Sequence, residues 1–286
     1  MRFLTYERDG KVGLAAKHGD QWHDLQSADA SIHPMLQMHL AGGPAILDRI
    51  KEVIPQGEVL DRAKLKLLPP IPVPQKIICV GLNYADHAAE TGAEIPSEPL
   101  IFNKFPTALR ADGDKIVLPP VSEQVDFEAE LVVVIGRGGK NIPQENAMDH
   151  VGGYCCGHDV SARDWQKGKP GKQWLLGKSF DSFAPCGPEL VTPDEIDDPH
   201  SLGIRCRING ETMQDSNTRQ LIFPIDKLIS YISQVCTLMP GDLIYTGTPP
   251  GVGMARKPPV FLKPGDVVEV EIERIGLLRN PVVAAS

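Results

Sequence analysis

The sequence predicts a mostly β protein with a few helices, whose sheet curls into a barrel or a sandwich-like roll. Its 27 glycines and 26 prolines are spread widely, as expected of many short strands joined by turns. Two Pro-Gly-Asp turns, at 240–242 and 264–266, each precede an apolar stretch. Residues 268–273 then alternate between apolar side chains and glutamates, so this strand should bury one face and expose the other.

The first 70 residues predict a small N-terminal β/α domain. A meander of three strands is expected at 1–6, 12–16 and 22–25, followed by a helix at about 45–53. The proline-rich segment 68–74 cannot lie inside a helix and is predicted to be an extended linker. We therefore expect one domain at 1–70 and a larger β-roll domain at 71–286.

The larger domain should contain further short elements. Strands are predicted at 76–81, 127–136 and 151–160, and helices at 84–91 and 224–238. The last helix has proline in its first turn and apolar residues at the spacing of one face.

Composition excludes several classes of partner. The net charge of -8, with no basic block, argues against nucleic acid. No apolar run approaches the roughly 18 residues of a membrane span. The six cysteines form no C-x-x-C pair and are expected to be free buried thiols in a reducing compartment. Because a charged turn at 7–10 also comes too early for a signal peptide, a cytoplasmic location is expected.

Two glutamates, Glu128 and Glu130, precede an apolar run at 131–135. Strand residues two apart share a face, so the two carboxylates should lie side by side. They would repel each other unless a cation lies between them, and such oxygen ligands suit Mg²⁺, Mn²⁺ or Ca²⁺ better than zinc. The alternative is a pair of ordinary surface glutamates.

A third acid, Asp159, ends a small apolar strand. Residues 161–164 have the form of a capping box and predict a helix start, which would place Arg163 and Gln166 on one face beside the acid. An acid at such a corner can point into a cleft. The alternative is a structural salt bridge between Asp159 and Arg163.

No phosphate-binding loop is predicted. Five residues, rather than four, separate Gly171 from Gly177, and three of them are bulky and apolar. Residues 136–139 lack the spacing of a dinucleotide-binding loop. Lys178 is then a lysine after an apolar strand, which either extends along the surface or is directed at the acidic cluster.

His87 and Glu90 are three residues apart in a predicted helix, so their side chains should be neighbours. A carboxylate beside imidazole can orient it and raise its basicity, which gives a general base near neutral pH. The alternative is an incidental pair on an exposed helix. Thr248, in a glycine- and proline-rich loop, is either a turn residue or a substrate contact.

Together these motifs resemble the fumarylacetoacetate hydrolase superfamily. The segments that carry the likeness lie, in order, at 80–87, 127–131, 158–164, 177–180 and 246–253. Residues 159–190 and 247–262 are most similar to the branch of fumarylacetoacetate hydrolase domain-containing protein 2. The likeness runs from about residue 76 to the C-terminus and is weaker before it.

The resemblance implies a mixed β-sandwich roll, usually a homodimer, with Mg²⁺ (Mn²⁺ or Ca²⁺ in some members) bound by the matching acids. It places the His87–Glu90 dyad on a lid over the substrate. Residues matching Arg163, Gln166, Lys178 and Thr248 would contact the carboxylate and oxo groups of a small 2-oxo acid. The acylpyruvase branch has arginine where this chain has Leu82, which weakens an acylpyruvase assignment.

The function expected from this resemblance is metal-dependent hydrolysis of a C–C bond in a small diketo acid, such as an acylpyruvate, fumarylpyruvate or a 2,4-diketo-3-deoxy sugar acid. An enolate stabilised by the metal and Lys178 would be formed, with Glu90 and His87 activating water. The same enolate also serves keto–enol tautomerisation or decarboxylation of oxaloacetate, and both alternatives stay open. An inactive metal-binding dimeric module is a remote alternative.

Overall fold

A computed structural model describes residues 1–285, and strands dominate it. In chain order the strands are β1 (Arg2–Arg8), β2 (Lys11–His18), β3 (Gln21–Asp24), β4 (Val59–Leu60), β5 (Lys66–Leu68), β6 (Ile77–Gly81), β7 (Leu100–Lys104), β8 (Leu109–Arg110), β9 (Ile116–Leu118), β10 (Val125–Asp126), β11 (Ala129–Ile135), β12 (Val151–His158), β13 (Ser161–Ala162), β14 (Ala184–Val191), β15 (Gly203–Ile208), β16 (Glu211–Asn217), β17 (Leu243–Tyr245), β18 (Val267–Ile272) and β19 (Gly276–Ala284).

The helices are short and lie between these strands. They are α1 (Leu25–Ala28), α2 (Leu36–Leu40), α3 (Pro44–Val53), α4 (Ala85–Thr91), α5 (Arg163–Gln166), α6 (Trp174–Lys178) and α7 (Ile225–Val235). Segments of 3₁₀ helix lie at Ile54–Gln56, Arg62–Lys64, Pro106–Ala108, Gln144–His150, Pro193–Glu195, Thr218–Gln220 and Gly253–Ala255.

Two packed sheets form the predicted roll. The large mixed sheet has the order β4-β3-β2-β1-β14-β12-β11-β17-β6-β7, with β5 beside β1 and β8 beside β14. A second sheet, in the order β16-β15-β18-β19-β9, packs against its β11, β12 and β14. A small ladder joins β10 to β13. The mainly β prediction is confirmed.

The N-terminal meander and helix are confirmed as β1, β2, β3 and α3. Strand β1 pairs antiparallel with β14 through Arg2 opposite Val191 and Phe3 opposite Leu190. The N-terminal strands therefore continue the sheet that carries the larger domain. The domain boundary at residue 70 stays a prediction.

The alternation in β18 is confirmed, because Val268, Val270 and Ile272 are buried while the glutamates between them are partly exposed. Both Pro-Gly-Asp turns precede strands, β17 and β18. Helix α7 is three residues shorter than predicted at its C-terminus, because Cys236 is extended.

Two local predictions are wrong. Ser161 does not cap a helix: it lies in β13 opposite Asp126, and its hydroxyl donates to the carbonyl of Asp159 at 2.9 Å. The apolar run before Lys178, expected as a strand, lies instead in α6, in which the N–H of Gly177 donates to the carbonyl of Gln173 at 2.9 Å. A short apolar run alone does not distinguish a buried strand from a helix.

The cysteines are free thiols, five of them buried and Cys236 partly exposed. Among residues 1–285, no helix combines the length and apolarity needed to cross a bilayer.

Candidate metal centre and active-site cavity

Three buried acids converge at the ends of two neighbouring strands. Glu128 immediately precedes β11, Glu130 lies within it, and Asp159 directly follows β12. The N–H of Asp159 donates to the carbonyl of Glu128 at 2.9 Å, which fixes these two residues side by side. One oxygen from each acid lies within 4.8 Å of the others, and the side chains are 7%, 1% and 0% exposed. The alternative of surface glutamates is therefore wrong.

Two buried lysines surround Asp159. Lys178 Nζ lies 2.7 Å from Asp159 Oδ2 and 2.7 Å from Glu128 Oε2, so the ammonium group bridges two of the acids. Lys104 Nζ lies 2.5 Å from Asp159 Oδ1 and donates to the carbonyls of Val160 and Lys178. Lys178 is thus directed at the acidic cluster, as one of its two interpretations expected.

The acids fit a divalent ion. Burial, then the charges of Asp159 and Glu128, raise the pKa of Glu130 well above its usual value. Burial opposes ionisation of Glu128 too, but Lys178 and Arg163 outweigh it and hold the pKa of that carboxyl below its usual range. Asp159 Oδ1 is buried and close to Lys104, yet it accepts no hydrogen bond of good geometry among the described residues. A divalent cation would neutralise this cluster, and three carboxylates form a ligand set for Mg²⁺, Mn²⁺ or Ca²⁺.

Arg163 supports the cluster from α5. Its guanidinium donates to Asp126 Oδ2 at 2.8 Å, to Gln166 Oε1 at 2.9 Å and to Glu128 Oε1 at 2.5 Å. The predicted alternative of a salt bridge between Asp159 and Arg163 is wrong, because Arg163 pairs with Asp126 and Glu128 instead.

The loop after β17 holds Glu130 and carries Thr248. The N–H of Gly247 donates to Glu130 Oε2 at 2.7 Å, from a backbone with φ of 104° that favours glycine. Thr248 Oγ1 donates to the carbonyl of Ala129 at 2.9 Å and accepts from Gln214 Nε2 at 2.9 Å. The Thr248 hydroxyl thus fastens this loop to β11.

The His87–Glu90 pair lies on α4 as predicted. His87 Nδ1 is 3.0 Å from Glu90 Oε2. The N–H of Gly251 donates to both carboxylate oxygens of Glu90, at 3.0 and 3.2 Å. Glu90 therefore joins α4 to the loop that follows β17, so the pair is not an incidental surface contact.

One cavity of about 640 Å³ unites these groups, a volume typical of small-molecule sites. Its polar lining includes the predicted residues His87, Glu90, Glu128, Glu130, Arg163, Gln166, Lys178 and Thr248. Asp159 is absent from this lining and contacts it through Lys178. The apolar lining includes Leu82, Leu100, Phe102, Trp174 and Met254.

Several residues of the site were missed by sequence reasoning. Lys104 is fully buried against Asp159, and Asp126 accepts from Arg163 and from the N–H groups of Gly253 and Met254. Phe102 and Trp174 meet edge to face at 5.4 Å in the cavity wall. A lysine inside an apolar strand was an available signal for Lys104; its partner, 55 positions along the chain, was not predictable from local pattern.

The family model of the fumarylacetoacetate (FAA) hydrolase C-terminal domain matches residues 76–283. The chain belongs to this family. The family match and the structure confirm the resemblance drawn from the motifs and the β-roll fold.

Several named proteins are similar to this member of the fumarylacetoacetate hydrolase family. The protein named oxaloacetate tautomerase fahd2, mitochondrial, from Xenopus laevis is 52% identical over 274 residues, 96% of this chain and 86% of the relative. The solved fumarylacetoacetate hydrolase from Exiguobacterium antarcticum is 35% identical with a TM-score of 0.87, and each chain is covered completely. Maleylpyruvate hydrolase from Sphingobium sp. SYK-6, solved with manganese(II) and pyruvate, is 29% identical with a TM-score of 0.84 and complete coverage of both chains.

The comparisons correct the predicted cytoplasmic location. The frog relative is named as a mitochondrial protein, which contradicts that prediction. Composition could not decide it, because free buried thiols are compatible with any reducing compartment. Among the predicted reactions, the relative's name supports the alternative, oxaloacetate tautomerisation, better than the primary prediction of hydrolysis.

Proposed function

We propose that this protein is a metal-dependent oxaloacetate keto–enol tautomerase. The observation that carries the proposal is 52% identity, over 96% of the chain, to a protein named oxaloacetate tautomerase. The site is consistent with it, since three acids, three cationic side chains and a His–Glu pair meet around one cavity.

Leu82 favours tautomerisation over acylpyruvate hydrolysis. It lines the cavity at the position where the acylpyruvase branch has arginine. An apolar side chain there cannot pair with a substrate anion, so a contact of the acylpyruvase branch has no equivalent at this position.

The cations of the site retain donors for a 2-oxo acid. Lys178 Nζ has three N–H groups, of which two are directed at Glu128 and Asp159. Arg163 has five, of which three are used within the protein. The remaining donors can bind the oxo oxygen and the adjacent carboxylate. A divalent ion, which we take to be Mg²⁺ or Mn²⁺, held by Glu128, Glu130 and Asp159 would supply Lewis-acid stabilisation of negative charge on the substrate.

His87 is the proposed proton carrier. If Nδ1 donates to Glu90, Nε2 is left as the basic atom. His87 Nε2 takes a proton from C3 of the keto form. The electron pair of the C3–H bond becomes the C2=C3 double bond, and the C2=O π pair moves to the oxygen, which takes up a proton from water. The imidazolium of His87 then returns its proton to water. The reverse sequence converts enol to keto, and no other reactant is consumed.

The test is the loss of enol absorbance when oxaloacetate equilibrates at neutral pH with Mg²⁺ or Mn²⁺. The wild type should accelerate this change above the buffer rate without releasing CO₂ or pyruvate. A Glu130→Gln variant should not. Release of CO₂ at the rate of enol loss would instead identify a decarboxylase.

Hydrolysis is the second candidate, because the His87–Glu90 pair could equally deprotonate water and a 29% identical protein of known structure is named maleylpyruvate hydrolase. A panel of acylpyruvates, fumarylpyruvate and 2,4-diketo-3-deoxy sugar acids distinguishes the reactions. Acid release from any of these substrates, faster than oxaloacetate tautomerisation, would overturn the proposal.

A further inference from the structure

We propose that Lys167 selects dicarboxylic substrates by binding the carboxylate remote from the acid cluster. This inference rests on the proposed function, and it names the group that recognises the far end of oxaloacetate. Lys167 lines the cavity and directly follows α5, where its N–H donates to the carbonyl of Arg163 at 2.9 Å.

The charges around the cavity single out this lysine. The other lysine and the arginine of the lining are already paired: Lys178 with Glu128 and Asp159, Arg163 with Asp126 and Glu128. Lys167 has no ion-pair partner within residues 1–285, although it faces the same space. A second substrate carboxylate would therefore find one uncompensated cation in the cavity.

The position of Lys167 on its helix strengthens the argument. Residues four apart lie on one helical face, so Lys167 stands beside Arg163. Burial and then the neighbouring guanidinium lower the pKa of Lys167, as expected of two cations that share a face. An anion bound by Lys167 would offset this repulsion.

The apolar walls of the cavity offer no partner to a carboxylate. Leu82, Leu100, Phe102, Trp174 and Met254 are apolar and give no hydrogen bond to an anion. His87 lines the cavity, but it is already paired with Glu90. A cavity of about 640 Å³ is also much larger than a four-carbon acid needs, so a dedicated contact must fix the far end.

A neighbouring lysine supplies a matched control. Lys169 Nζ stacks over the ring of Trp165 at 4.7 Å from its centroid, and Lys169 is not part of the cavity lining. Lys167 and Lys169 are both exposed, so methionine at either position should leave the fold intact.

The experiment compares oxaloacetate with its 4-monomethyl ester, which enolises in the same way but lacks the second charge. For Lys167→Met, kcat/KM for oxaloacetate should fall about tenfold, whereas the value for the ester should change by less than about twofold. Lys167→Arg should restore most of the loss, and Lys169→Met should change neither substrate. An equal fall on both substrates, or no fall on oxaloacetate, overturns the inference.

A binding measurement separates this inference from the proposed function. If the wild type does not tautomerise oxaloacetate, the proposed function fails. Calorimetric titration of the Mn²⁺-loaded wild type and Lys167→Met with the same two ligands then decides the inference alone. Weaker binding of oxaloacetate, with unchanged binding of the ester, supports it; any other pattern, including no binding, overturns it.

Discussion

Lys104 Nζ lies 2.5 Å from Asp159 Oδ1, and neither side chain is exposed to solvent. The pair joins β7, an edge strand of the large sheet, to the residue that follows β12. Removing one partner of a buried ion pair leaves an uncompensated charge, which costs about 3–5 kcal/mol in other proteins.

Lys104→Met should therefore lower the free energy of unfolding by about 3 kcal/mol, measured by urea denaturation without added metal. The double variant Lys104→Met/Asp159→Asn should recover part of that loss, because it also neutralises Asp159, which would otherwise keep Lys178 as its one remaining cationic partner among the described residues. Lys51→Met, in an exposed pair with Asp48 at 3.4 Å, is the control and should cost less than about 1 kcal/mol. A similarly small decrease in the free energy of unfolding for Lys104→Met would show that the Lys104–Asp159 pair does not stabilise the fold.

Glu130→Gln should abolish stabilisation by the metal without destabilising the metal-free protein. Folding raises the pKa of Glu130 above its ordinary value of 4.5. Its contribution to stability is therefore complete below that ordinary value and is lost as pH rises through the raised pKa. At neutral pH the metal-free variant should match or exceed the wild type in stability.

Mn²⁺ should stabilise the wild type by about 2.7 kcal/mol at one hundred times its Kd, seen as an increase in Tm, and should leave Glu130→Gln almost unchanged. The uncharged side chain can still accept from Gly247, so the loop should persist. An equal Tm increase in both proteins would exclude Glu130 as a ligand.

Glu90→Ala should increase local opening of α4. The Glu90 carboxylate accepts from Gly251 and lies beside His87, and its loss removes both contacts. A hydrogen bond to a charged group contributes about 1.5–3 kcal/mol, so amide hydrogen exchange in 85–91 should accelerate about tenfold or more. Glu94→Ala, at an exposed position just beyond the helix, is the control and should leave these rates unchanged.

His158→Leu should reduce the sensitivity of stability to acid. His158 is buried, neither ring nitrogen has a hydrogen-bond partner among the described residues, and burial, then the charge of Lys104, lowers its pKa from 6.5 to about 3. Because the unfolded chain takes up this proton first, stability is complete above about pH 6.5 and falls as pH decreases towards 3.

Between pH 7.5 and 5.5, protonation of this group in the unfolded chain should lower the free energy of unfolding of the wild type by about 1.4 kcal/mol. The leucine variant should lack that decrease. Urea unfolding at the two pH values measures the difference. Identical pH dependence in the two proteins would contradict a neutral buried imidazole.

The sequence predicted those parts of the site that depend on local period. Alternation along a strand placed Glu128 and Glu130 together, and helical spacing placed His87 beside Glu90. Both inferences need only neighbouring residues and a correct secondary structure.

Contacts between distant elements were not accessible in this way. Ser161 pairs with Asp126, 35 positions earlier, in the ladder between β10 and β13. This tertiary strand pairing overrides the local capping pattern. The interactions of Lys104 depend on how β7 approaches α6 and the end of β12. The expected homodimer likewise stays a prediction.

Because β1 pairs with β14, the N-terminal segment covers one edge of β14 in the large sheet. A fragment that starts at residue 71 would leave Leu190 and Val191, which pair with Phe3 and Arg2, with unsatisfied backbone donors and acceptors. Such an exposed strand edge is a template for intermolecular association. Strand β14 also borders β12, which ends beside Asp159. Shortened expression fragments should therefore aggregate, however completely they retain the family motifs.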